Sequence, residues 1–228
     1  NDTYLLQSSR SFSKGVGEFN QLENSNAFLN YSIRHYLNRF RFSVGVNYSK
    51  QNDVLAYRTS LEQNSSLSES FFIKGGENYT LNTEANYYLR KLKSNLNFKF
   101  NANSGTSFNA INGSDLRKNT YESLRYNVEW RTRFNSPFNF HLGTEWTKTK
   151  IQSPGFENTN TNGFSFLDLF YKLNDRFDVK AVTEHYYFGN LEKEQRNYFF
   201  LDVEGTYKLK GDKYTLGLKA NNLFNTEN

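Results

Sequence analysis

Apolar and polar residues alternate along this chain over unusually long runs. From Leu124 to Phe134 one parity holds Leu124, Tyr126, Val128, Trp130, Thr132 and Phe134, and the other holds Arg125, Asn127, Glu129, Arg131 and Arg133. Side chains alternate faces along a strand, so this run predicts a strand with one apolar and one charged face. Phe138, Phe140, Leu142, Thr144 and Trp146 repeat the pattern after a short Asn135-Ser136-Pro137 turn, and the two runs predict a long hairpin. Four more hairpins follow the same plan. Ala27–Ile33 pairs with Phe40–Tyr48, Leu81–Leu89 with Leu96–Ala102, Leu167–Leu173 with Phe177–Thr183, and Phe199–Leu209 with Tyr214–Ala220. Ten strands are expected.

The connections alternate. Those inside hairpins are tight. Those between hairpins, Gln51 to Asn78, Ser104 to Lys118, Gln152 to Asn162 and Gly189 to Arg196, read as long polar loops rich in Asn, Ser, Thr and Gly. Pro137 falls in a tight turn and Pro154 in a long loop, so neither removes a donor from a strand ladder. Aromatics sit at both ends of the apolar parity: Phe134, Phe138, Phe177 and Tyr214 near the tight turns, Trp146 and Tyr48 near the long loops. The strand from Phe138 to Trp146, tilted as in a barrel, spans roughly 20 Å, close to the apolar band of an outer-membrane barrel.

Composition narrows the reading. Of 228 residues 36% are hydrophobic, and the 16 Tyr, 22 Phe and 2 Trp make 18% aromatic. A disordered chain is poor in aromatics. A membrane-spanning helix needs about 18 or more consecutive apolar residues, whereas the runs here are short, such as the triplet Phe71-Phe72-Ile73, and mean hydropathy is −0.80. The net charge of +5 is scattered and gives no support for nucleic-acid binding. With no Cys there is neither a disulfide framework nor a thiolate site. The expected fold is all-β: an antiparallel transmembrane β-barrel with long tilted strands, tight periplasmic turns and long extracellular loops, in the outer membrane of a Gram-negative bacterium. A soluble antiparallel protein with apolar-in, polar-out sheets is the competing reading. In the barrel, Arg125, Asn127, Glu129, Arg131, Glu145, Lys180, Glu184, Asp202, Glu204 and Lys219 are the candidate lumen-facing residues, satisfied by water or by cross-strand partners.

The tail Lys219-Ala220-Asn221-Asn222-Leu223-Phe224-Asn225 resembles the penultimate-strand signature of TonB-dependent outer-membrane transporters, in which an Asn-Leu-Phe-Asn run follows an alternating strand just before the closing one. The Asn-, Tyr- and Phe-heavy connections are also similar to those of the nutrient-importing branch that works with a surface lipoprotein lid. The resemblance implies a barrel of about 22 strands with an N-terminal plug. Residues 1–228 would then be its C-terminal part. The plug, the peptide that binds the energy-coupling TonB protein and the closing strand would lie outside this sequence.

No catalytic motif stands out: there is no Gly-x-Ser-x-Gly, phosphate loop or acidic cluster with metal spacing. His35, His141 and His185 fall on different predicted strands, and Glu184 and His185 point to opposite faces, so neither an enzyme nor a metal or cofactor site is expected. Asn30 and Asn78 open glycosylation-type triplets of the sort common by chance. Arg58, Lys74, Arg117 and Lys118 read as solvated loop residues, with lipopolysaccharide phosphates as the alternative contact. The expected partners are outer-membrane lipid and lipopolysaccharide, the TonB protein through upstream sequence, and a surface lipoprotein lid. Three functions follow: TonB-dependent uptake of a scarce sugar, peptide or metal complex; a passive pore or an assembly and secretion barrel; and a soluble carbohydrate-binding β-domain.

Overall fold

The computed structural model describes residues 4–16, 23–37, 39–112, 114–209 and 213–224. The fold is all-β, one 14-stranded, mostly antiparallel sheet. In chain order the strands are β1 (Tyr4–Ser8), β2 (Ser11–Lys14), β3 (Asn24–His35), β4 (Phe40–Gln51), β5 (Asp53–Leu61), β6 (Ser66–Lys74), β7 (Glu77–Leu89), β8 (Ser94–Ile111), β9 (Arg117–Thr132), β10 (Phe138–Ser153), β11 (Phe156–Lys172), β12 (Phe177–Phe188), β13 (Asn197–Lys208) and β14 (Thr215–Ala220). The main path is the antiparallel series β3-β4-β7-β8-β9-β10-β11-β12-β13-β14, which contains the ten predicted strands. Among the described residues β3 and β14 each pair on one side only.

The sequence expectation fails in the connections between hairpins. Gln51 to Asn78 is not a loop: it contains the β5–β6 hairpin. The pairing of β8 with β7 ends at Gly105, opposite Asn78. Beyond that point β8 pairs instead with β5, in parallel, through Tyr57–Thr59 and Asn109–Ile111. The sheet thus splits at β8, and β6 goes on to pair in parallel with β2. Asn112 clips the junction. It adopts a left-handed φ of 51°, donates its N–H to Thr59 O at 2.7 Å, and accepts the Leu61 N–H on Oδ1 at 2.8 Å. Asn tolerates that conformation better than most residues do.

The other predicted loops are strand as well. β8 runs 18 residues, β11 17, and β9 and β10 16 each, so Ser104 to Lys118 shrinks to a link of a few residues. Gln152 to Asn162 becomes the two-residue Pro154-Gly155 turn, with Gly155 at φ 77° as a type II turn requires. Gly189 to Arg196 holds a single 3-10 turn, Lys193–Gln195. Polar composition imitated loop here, but the β-branched Thr147, Thr149, Thr159 and Thr161 sustain extended backbone.

The tight turns at 90–93, 135–137 and 174–176 fall where predicted; the expected turns at 37–39 and 210–213 include Asn38 and residues 210–212, which lie outside the described residues. Asn174 Oδ1 accepts the N–H groups of Arg176 and Phe177, each at 2.9 Å. Beside it Lys172 donates to Asp175 at 2.7 Å and holds that carboxyl below its ordinary range. Asn139 Oδ1 accepts the Phe134 N–H across the Pro137 turn. Phe134, Leu173, Leu209 and Tyr214 lie just outside the strands that they were expected to belong to.

Among the described residues nothing covers the apolar parity. Ala56 and Ala110 are the buried hydrophobic residues among those described, whereas Leu29, Tyr126, Tyr171, Phe199 and Leu218 are exposed. The accessible surface is 16443 Å². A compact soluble monomer of 26.8 kDa would expose about 10800 Å². A sandwich burying one apolar face on another is therefore not what this chain forms. One close approach orders the exposed face: Gly163 lies directly opposite Trp146, and a Cβ on it would sit 2.9 Å from the indole. Gly163→Ala is therefore expected to displace Trp146 and to destabilise the sheet by about 1 kcal/mol, the low end for overpacking. Trp146 emission in a Trp130→Phe background is expected to shift, and an unchanged spectrum would refute the contact.

Candidate functional site

Directly paired residues share a face, so the registers define rows across the sheet. One row runs Ser32, Ser43, Glu84, Lys99, Asn127, Glu145, Phe164, Tyr186 and Tyr198 through nine strands. The row on the opposite face runs Ile33, Phe42, Ala85, Phe98, Val128, Thr144, Ser165, His185 and Phe199. The first face curls into a hollow of about 750 Å³ that draws residues from β3 to β10, among them Asn30, Glu84, Lys99, Arg125, Asn127, Glu129 and Glu145. The polar face is therefore the concave one.

The ten candidate residues all lie on this face but in four groups. Arg125, Asn127, Glu129 and Glu145 line the hollow, and Arg131 sits beside them, paired in register with Asn95 and His141. Arg125 Nη2 donates to both oxygens of Glu145 at 2.8 Å. Glu129 lies 3.6 Å from His141. Lys180 and Glu204 line a smaller hollow near the Pro137 turn, with the Lys180 ammonium 5.5 Å from the Phe170 ring. Asp202 lies 3.7 Å from Lys219. Glu184 accepts the Tyr186 hydroxyl at 2.9 Å, in a different setting described below.

The tail motif follows β14 directly. Asn222 takes a left-handed φ of 50°, its N–H donates to Asp202 Oδ1 at 2.9 Å, and Leu223 N–H donates to Leu201 O at 2.8 Å. The Asn221-Asn222-Leu223-Phe224 segment thus turns back against β13, with Leu223 and Phe224 exposed. Asn225 lies outside the described residues.

Sequence reasoning missed Glu84, Lys99, Asn82 and Asn101 in the hollow, although the parity opposite to their strands' apolar residues already marked them. It also missed aromatics on the polar face, among them Phe164, Phe166, Tyr186, Phe188, Tyr198 and Phe200. Their signal was local runs in which both parities turn aromatic, as in Tyr186-Tyr187-Phe188 and Tyr198-Phe199-Phe200. The histidines stay apart. His141 packs edge-on against Phe166 at 4.7 Å, while His185, on the other face, stacks on Phe199 at 4.2 Å. Among the described residues no three His, Cys, Asp or Glu side chains gather as a metal site would need, and no helix is long and apolar enough to cross a membrane.

No family model matches the chain, and no curated protein matches it. Among solved structures, the chain is similar to the translocator domain of the autotransporter NalP from Neisseria meningitidis at 8% identity, with 87% of this chain and 81% of that one covered. The TM-score is 0.26, too low for that likeness to carry an argument about this chain.

Two outcomes test this geometry. The Arg125–Glu145 pair is largely open to solvent, with side chains 57% and 31% exposed. A double-mutant cycle with Arg125→Ala and Glu145→Ala is expected to give a coupling below about 1 kcal/mol that shrinks with salt. Asp202→Ala is expected to release the tail turn, seen as faster hydrogen exchange at the Asn222 and Leu223 amides while amides in β10 keep their protection.

Proposed function

We propose that these residues form part of the wall of an outer-membrane β-barrel in a Gram-negative bacterium. The observation that carries this reading is the exposed apolar face, on which a band of polar side chains between β9 and β13 finds partners within the sheet. Thr144 and Ser165 hydroxyls share a hydrogen bond at 2.7 Å, and Trp146 Nε1 donates to Thr144 Oγ1 at 2.9 Å. The Thr183 hydroxyl donates to Leu167 O at 3.0 Å, and His185 Nε2 is 3.0 Å from Asn197 Oδ1. A surface bathed in water has no need of this self-sufficiency, but one facing hydrocarbon does. Ser94 Oγ and Trp130 Nε1 are buried on this face without a partner among the described residues.

The edges of the face support the same orientation. Tyr48 and Tyr79 pack at 4.9 Å, and Trp146 and Tyr187 at 5.4 Å, along the upper edge. Phe40 with Tyr87, and Trp130 with Phe140, mark the lower edge. Aromatic rings at both rims are the girdles expected where lipid meets water. Above the upper girdle the same parity turns to Lys148, Lys150 and Glu157, with Lys150 and Glu157 3.0 Å apart. Headgroup phosphates of lipopolysaccharide would be met there.

For the role of the barrel we favour TonB-dependent uptake of a scarce ligand. The support is the Asn221–Phe224 resemblance together with a hollow lined by both signs of charge and by many amides, which suits contact with a plug or a polar ligand. The plug and the coupling peptide would be supplied by polypeptide outside these residues, and a lipoprotein lid would close the outer mouth. A passive pore is the second reading, favoured by the same polar hollow.

In the protein that carries this chain, Val128→Arg is expected to cost about 2–4 kcal/mol in lipid, as for a midplane outward position. Asn127→Arg, one residue away, is expected to cost far less. Equal costs in denaturant unfolding from vesicles would overturn the membrane assignment. The same protein in planar bilayers is expected to pass no steady current until its plug is removed. A constant open-channel conductance would favour the passive pore.

A further inference from the structure

The concave face changes character between β10 and β11. In the rows through Phe164, Phe166 and Phe188 it carries Ser, Thr, Asn, Gly and charged residues from β3 to β10, whereas on β11, β12 and β13 most positions are rings. The rings are continuous. Phe164 lies 5.8 Å from Phe166 and 4.9 Å from Tyr186. Tyr186 lies 6.4 Å from Phe188, their planes parallel within 5°, and 6.0 Å from Phe200. Phe188 meets Tyr198 edge-on at 5.8 Å. The ladder does not require them, since the same rows hold register across β3 to β10 with no ring in them.

Hydrogen-bonding groups border the rings. Glu184 sits among them, its carboxylate held by the Tyr186 hydroxyl. Asn162 pairs in register with Phe188, one step above the Phe164–Tyr186 row. Asn160 Oδ1, two residues further along β11 on the same face, is buried and accepts no hydrogen bond from the described residues. On the β10 side the Arg125–Glu145 pair abuts Phe164, which is opposite Glu145 in register.

We propose that this aromatic shelf is a saccharide-binding site, the rings of Tyr186, Phe188 and Phe200 taking the C–H faces of sugar units. Glu184, Asn160 and Asn162 take the hydroxyls. A sugar ring presents both chemistries at once: weakly polar C–H faces that suit aromatic surfaces, and hydroxyls at its edge that demand directed partners. A purely apolar occupant would leave Asn160 and Glu184 desolvated without compensation. A strongly charged one would find opposite charges already paired at Arg125 and Glu145. The proposal rests on the uptake reading for its biological sense, but binding is measured without transport.

The test is calorimetry of the full polypeptide in detergent with maltohexaose, cellohexaose, xylohexaose and chitohexaose. At least one is expected to bind. Tyr186→Ala and Phe200→Ala are each expected to weaken binding at least tenfold, and Glu184→Gln about threefold. Tyr186→Phe is expected to stay within a few-fold of the parent. Should Tyr186→Ala fail to fold, Tyr186→Leu keeps the volume and removes the ring, with the same loss expected. Leu169→Ala on the opposite face is the control and is expected to bind as the parent does. Binding by none of the four sugars, or equal binding by Tyr186→Ala and its parent, overturns the proposal. So does a benzoylphenylalanine at position 198 that cross-links to the same polypeptide, because the shelf would then be covered by the protein itself. A loss of sugar binding with an intact Val128/Asn127 asymmetry rejects the site alone. The reverse result rejects the membrane reading.

Discussion

The structure depends on a face that has no interior to hide in. Ordinarily a sheet buries its apolar side against a second layer and leaves its polar side in water. Here Ala56 and Ala110 are the only buried hydrophobic residues among those described, and the apolar parity looks outward along its length. Everything else follows from making that face tolerable. Backbone donors and acceptors are consumed by long unbroken ladders. The hydroxyls of Thr144, Ser165 and Thr183 and the imidazole of His185 bond within the sheet. The curvature puts charged side chains on the inside, where Arg125 and Glu145 meet without leaving solvent.

The inner face is divided between two chemistries that the outer face does not reveal. From β3 to β10 it offers amides and opposite charges around a hollow, and from β11 to β13 it offers rings. Between them Glu145 faces Phe164 and Gly143 faces Phe166, where a Cβ on Gly143 would meet the ring at 2.6 Å. The glycine lets the aromatic lie flat across its neighbour, so the seam between the two regions is itself built by side-chain size.

Much of this was legible in the sequence because alternation is a direct reading of strand geometry. The Leu124–Phe134 and Phe138–Trp146 runs pair as expected, with Trp146 opposite Tyr126 and Leu142 opposite Trp130. What was illegible had physical reasons. Beyond Trp146 both parities are polar apart from Ile151, so period disappears while strand persists, and β10 continues to Ser153 unseen. The β5–β6 hairpin failed for the opposite reason: it lies beside β8 through a short parallel contact that leaves no local pattern. The aromatic shelf was hidden because Tyr186 and Phe188 break the rule that the inner parity is polar. Departures from a rule are where function is to be sought. The tail motif was read by likeness, but the structural reason for Asn222, a left-handed residue fastened to Asp202, emerges only when β13 lies beside it.

The Pro154-Gly155 turn has an evolutionary corollary. Because β10 and β11 run in register to the last pair, Ser153 with Phe156, the projection has no slack. A single residue inserted into one strand would invert every side chain beyond it, inside for outside. Residues added in matched pairs, one strand mirroring the other, would only lengthen the projection. Among descendants of this chain, the height of this hairpin should therefore vary in steps set by the ladder, while ordinary drift in length collects at the unladdered links around residues 112–116 and 189–196.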